Sequence, residues 1–163
     1  MPDAITDPIS QIYDIIYAAL TDFAPWAAIV KPNNRINFNE SSPNKMLDAM
    51  HYADFPSVAL IIGKSSFNIQ YGQANTKMTQ DYILILRSGA SQLMDQHSLL
   101  IWQTFRALSL LPVNLGISFV WRMNVEAAET LDGISGDLGG SVGYMTPVTI
   151  SVDFQFLRSE LST

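Results

Sequence analysis

Cysteine is missing altogether from the 163 residues, which removes disulfides, thiolate metal sites and cysteine nucleophiles in one step. Charge is scarce as well. Asp, Glu, Lys and Arg make up 15% of the chain, against roughly a quarter in ordinary soluble proteins. A surface so short of charge and rich in Asn, Ser, Thr and Gln fits a subunit packed against partners, and it equally fits a neutral free-standing domain. The nine basic residues are scattered with no two adjacent, and the net charge is -6. Counterion-release binding needs Lys and Arg gathered on one face, so a nucleic-acid grip is not expected. Apolar runs such as 58–62 and 83–86 reach only four or five residues, far below the roughly twenty of a bilayer helix. The first ten residues hold no basic stretch ahead of an apolar run, so a secretory leader is not expected either.

Motifs for catalysis or cofactors are also lacking. Gly63-Lys64-Ser65 has the end of a phosphate-binding loop, but Val58 stands where that loop needs its first glycine. Gly136-Asp137-Leu138-Gly139-Gly140 has the glycines of a serine-hydrolase turn with Leu138 in the nucleophile's place. Asp132 and Asp137 could offer carboxylates to calcium, yet the rest of a calcium shell is not apparent. His51 and His97 are the two histidines and lack the His-Glu-x-x-His spacing of a zinc site. No catalytic, cofactor-binding or metal-binding residue is expected. A rival reading remains, a small-molecule site or enzyme built from residues such as Asp81, Tyr82 and Tyr144.

What is present is a well-patterned chain of single-domain length, able to bury roughly 70% of the surface its unfolded form exposes. Asp7-Pro8 signals a helix start, and Ile9, Ile12, Tyr13, Ile16, Leu20 and Phe23 carry an apolar stripe to a stop at Pro25. Residues 31–54 turn polar and predict a long loop with a short strand at 35–39. Three strands are predicted next, at 58–62 ended by Gly63, at 67–71 and at 77–87. Residues 91–111 predict the clearest helix, with Leu93, His97, Leu100, Ile101, Thr104, Phe105 and Leu108 on one face and Pro112 as its stop. His97 is expected as a hydrogen-bonded core residue.

Two long strands follow at 115–125 and 148–156, expected as antiparallel neighbours joined by a glycine-rich loop at 130–144. On the first, Ile117, Phe119, Trp121 and Met123 are expected to share a face. Trp102, Phe105 and Trp121 are expected to fill the core or cover the sheet. Trp26 is the tryptophan expected at a subunit contact, since Trp is enriched at interfaces. The order predicts an α+β fold in a single domain, an antiparallel sheet of about five strands with two main helices on one face.

This arrangement resembles the tail terminator, or tail completion, proteins of long-tailed bacterial viruses. The likeness rests on the opening helix with Ile12-Tyr13-Asp14-Ile15-Ile16-Tyr17, on Arg35-Ile36-Asn37-Phe38 and on Phe55-Pro56-Ser57-Val58-Ala59-Leu60. It continues through Tyr82-Ile83-Leu84-Ile85-Leu86, the helix at 92–110 and the closing strand at 148–156. It is a likeness in the order of elements along nearly the whole chain. It implies a virion protein, assembled in the host cytoplasm, whose subunits close into a homo-oligomeric ring, commonly a hexamer. Such a ring caps the tail tube protein, docks the head connector or neck proteins, and lets DNA pass through its channel without specific binding.

The resemblance further implies that loops 35–54 and 130–144 meet neighbouring subunits or the tube. Arg35, Asn37, Asn39, His51, Asp132, Asp137 and Tyr144, together with Trp26, are the candidate interface residues. The loop before Pro56 is longer than in the simplest members, so another neck, sheath-capping or baseplate position also fits.

Overall fold

The computed structural model describes residues 7–37, 55–68, 75–89, 92–112, 115–117, 119–132 and 142–157. Helix α1 (Pro8–Thr21) begins where Asp7 and Pro8 put it. Asp7 Oδ1 accepts from the backbone N–H of Ile9 at 3.1 Å and of Ser10 at 3.2 Å. Pro8, in the first turn, gives up an N–H that no helix would have used. The Ser10 hydroxyl and its backbone N–H hold the Asp7 carboxyl below its usual range. A short second helix that the sequence pattern did not reveal, α2 (Ala24–Ile29), follows at once. Pro25 lies in its first turn, so the residue expected to close one helix also opens the next. A 3-10 turn (Pro32–Asn34) then leads into β1 (Arg35–Asn37).

The remaining elements are β2 (Ser57–Asn68), β3 (Asn75–Gly89), α3 (Met94–Ser109), β4 (Val120–Ala127), β5 (Leu131–Asp132) and β6 (Val142–Leu157). The fold is α+β as expected, with helices packed on one face of a sheet ordered β1-β2-β3-β6-β4, and with β5 also pairing to β6. The sheet is mixed rather than purely antiparallel, because β1 runs parallel to β2. Every other pairing is antiparallel, including the expected neighbours β4 and β6.

One face of the sheet is continuous with the core. Val58, Leu60, Tyr82, Leu84, Leu86, Val148, Ile150, Val152 and Phe154 alternate along β2, β3 and β6 and pack with Ile12, Tyr13, Ile16, Leu20, Leu100 and Leu108 of the helices. Two buried tyrosines tie the layers together. Tyr13 donates to the Leu60 carbonyl of β2 at 2.5 Å, and Tyr82 of β3 donates to the Ile9 carbonyl of α1 at 2.7 Å. Burial raises the Tyr82 pKa, so this hydroxyl stays a donor at any physiological pH.

Three sequence expectations change. The strand expected at 58–62 continues without a turn into Phe67 and Asn68, the described part of the strand expected at 67–71, because the chain passes Gly63 through a bulge between Ile62 and Ser65. Buried Gln80 bridges that bulge: its amide donates to the Gly63 carbonyl at 3.2 Å and to the Asp81 carbonyl at 2.9 Å, and its Oε1 accepts from the Ser65 hydroxyl. A second bulge lies in β4, where Val120 faces Phe154 and Arg122 faces Asp153, leaving Trp121 as the extra residue. The alternation expected over 117–123 therefore breaks. Ile117, Phe119 and Val120 are buried while Trp121 is exposed. The glycine-rich loop is shorter than 130–144, since Leu131 and Asp132 already pair with Met145 and Tyr144.

Candidate interaction surfaces

The two groups of candidate interface residues that the structure describes are drawn into the subunit's own framework. Trp26 is 1% exposed. It donates from Nε1 to the Thr104 hydroxyl at 3.1 Å, and Thr104 in turn donates to the Leu100 carbonyl of α3 at 2.8 Å. The Arg35 guanidinium lies 5.5 Å from the Trp26 ring centre. Arg35 also donates from Nε to the Val30 carbonyl at 3.0 Å and from Nη2 to the Ala27 carbonyl at 3.4 Å. It thereby caps the free carbonyls of α2 with a cation, the favourable sign for a helix C-terminus. Asn37 is buried in β1. Expecting Trp26 at a subunit contact is thus corrected: α2 folds it back onto α3.

Asp132 and Tyr144 are brought together across β5 and β6, and the Tyr144 ring lies over His97 with centroids 5.5 Å apart. Asn39, His51 and Asp137 lie outside the described residues.

His97 occupies the core position expected for it. It is fully buried, with Nδ1 at 2.6 Å from the Ser88 hydroxyl and Nε2 at 2.8 Å from the Thr146 hydroxyl. Thr146 lies 2.8 Å from the Thr130 hydroxyl, so the chain of polar groups joins β3, α3, β6 and the segment before β5. Burial lowers the His97 pKa and keeps the imidazole neutral. A serine hydroxyl on an imidazole is the contact from which nucleophilic catalysis starts. Here the second ring nitrogen is held by a threonine rather than a carboxylate, and Ser88 is only 1% exposed beside a shallow pocket of about 240 Å³. The geometry is that of a clamp between elements. Asp81 and Tyr82, the other residues of the rival reading, are not brought together. They point to opposite faces of β3, Tyr82 into the core and Asp81 to the Ser151 hydroxyl at 2.7 Å. Among the described residues, no three His, Asp or Glu side chains gather to hold a metal ion.

The free apolar surface lies elsewhere, and it corrects the expectation that Trp102 and Trp121 fill the core or cover the sheet, since both are exposed. Leu99 is 47%, Trp102 60% and Leu110 70% exposed. Their spacing in and just after α3 places them on one outward stripe, opposite Leu100, Thr104 and Leu108, with Arg106 between them. That second stripe is visible in the sequence, but the stronger inward stripe accounts for the helix without it. Beside Leu110, an open groove of about 250 Å³ runs between the ends of α1 and α3, lined by Ala19, Asp22, Phe23, Ala107, Leu110 and Leu111. The sheet contributes other exposed apolar groups: Phe67 at 50%, Trp121 at 51% and Leu131 at 46%. Arg122 sits beside Trp121, its guanidinium 5.4 Å from the ring centre and its Nε donating to Asp153 Oδ2 at 2.9 Å.

No protein-family model matches this chain, and no curated protein matches it either.

Proposed function

We propose that this chain is a structural assembly subunit that closes into a homo-oligomeric ring. The observation that carries this is the exposure of large apolar side chains on two unlike surfaces. Leu99, Trp102 and Leu110 lie on the helical layer, and Phe67 and Trp121 lie on strands of the sheet. A self-contained monomer gains nothing from exposing Trp on both layers, whereas a head-to-tail contact needs two different surfaces on one subunit and closes into a ring when its rotation permits. The resemblance to tail terminator proteins supplies the finer reading: a virion ring at the head end of a phage tail tube, between tube and head connector. A related neck, sheath-capping or baseplate position shares the same architecture. The net charge of -6 suits a channel through which DNA passes without sticking.

The test is native mass by light scattering across a concentration series. A closed oligomer is expected, about 109 kDa for six copies of the 18.1 kDa chain. A strict monomer up to millimolar concentration would overturn the assembly reading. Cosedimentation with isolated tail tubes, against isolated baseplates, then separates the terminator position from its relatives.

A further inference from the structure

We propose that Trp121 of one subunit inserts into the groove between α1 and α3 of the next copy of this chain, and that this is the contact which propagates the assembly. The inference rests on the ring reading above and names its two surfaces.

The groove has the size and chemistry for one large side chain. At about 250 Å³ it lies below the roughly 300 Å³ at which small-molecule pockets begin. Ala19, Phe23, Ala107, Leu110 and Leu111 give an aromatic ring apolar surface to meet, with Asp22 the one charged group among the described lining residues. Leu110, at 70% exposure, stands as an unsupported wall that an inserted ring would cover. Buried aromatic anchors in such pockets carry most of the energy of protein contacts.

Trp121 is the fitting anchor. As the extra residue of a bulge, it has no cross-strand partner. Bulges re-aim side chains and commonly serve this purpose. Trp102 is more exposed, but it belongs to the helical face that carries the groove and so forms part of the receiving surface.

Charge complements the fit. Arg122 follows the anchor and, despite its bond to Asp153, keeps a side chain 64% exposed. Glu126 lies four residues further along the same edge strand and is exposed. The groove offers charges of the opposite sign to each, with exposed Asp22 in its wall and exposed Arg106 stacked 5.2 Å from the Phe23 ring centre. Arg122 against Asp22 and Glu126 against Arg106 would orient the docking more than strengthen it.

Two surface variants of the full chain test this, Trp121→Glu to remove the anchor and Leu110→Asp to charge the groove. Both positions are at least half exposed, so thermal unfolding of each variant at low concentration should match wild type. Each variant alone is expected to lose the oligomer and run at the 18.1 kDa monomer mass. An equimolar mixture is expected to form a pair of about 36 kDa, because one partner keeps the anchor and the other keeps the groove. If wild type assembles and either variant keeps its mass, this contact is wrong while the ring reading stands. If both variants are monomeric and the mixture stays monomeric too, the two residues do not meet across one interface and the contact is again overturned. A wild type that never assembles removes the ring reading and this contact together.

Discussion

Replacing Trp26 should cost far more stability than replacing Trp102, the reverse of what residue type and sequence position suggest. A buried Trp side chain removes about 150–250 Å² from water. At about 25 cal/mol per Å² that is worth ~4–6 kcal/mol, an upper bound because the unfolded chain already buries part of it. Trp26 also gives Thr104 a donor at 3.1 Å and Arg35 an aromatic face at 5.5 Å. Thr104 keeps its own bond to the Leu100 carbonyl when the indole is removed, so no donor is orphaned there. Trp26→Ala should therefore destabilise by about 4 kcal/mol, within the range usual for aromatic-to-alanine changes in cores.

Trp26→Phe keeps much of the apolar area and loses the N–H bond. A loss of about 1–2 kcal/mol is expected. Trp102→Ala, at a position 60% exposed, should stay within about 0.5 kcal/mol. Urea unfolding followed by circular dichroism measures all three, at a protein concentration low enough to keep the chain monomeric. A Trp102→Ala loss equal to that of Trp26→Ala would refute the assignment of the two tryptophans.

Stability should fall on mild acidification because of His97. Burial lowers its folded pKa, so the unfolded chain binds a proton first as pH drops below about 6.5. Its stabilisation is complete above that value, declines toward the folded pKa and then levels off. Urea titrations between pH 5 and 8 should show this slope in wild type and lose most of it in His97→Gln. Asp7→Ala should cost about 1 kcal/mol by removing the cap of α1, and an unchanged urea midpoint would contradict the cap. Gly89→Ala should destabilise by about 1–3 kcal/mol, since the added methyl would sit 3.0 Å from the Phe55 ring. Relief of that loss in Gly89→Ala/Phe55→Leu would identify the clash as its cause.

Local signals decided much of the fold. The cap at Asp7-Pro8, the alternation Val148, Ile150, Val152, Phe154 and the inward stripe of the second long helix from His97 onward each depend on neighbours a few residues away and reappear where the pattern put them, whereas Leu93, expected on that stripe, precedes the helix and is 65% exposed. The buried, doubly hydrogen-bonded state of His97 followed from its place on that stripe. The candidate interface was far less legible. A bulge arises from how two strands register, so the period-two pattern of β4 could not show that Trp121 slips out of phase while Val120 turns inward. Trp26 looks like a free aromatic until α2 brings it to Thr104, a residue 78 positions away. Which apolar groups remain uncovered is a property of the closed core, and tertiary packing alone sends Trp26 inside and leaves Trp102 and Trp121 outside.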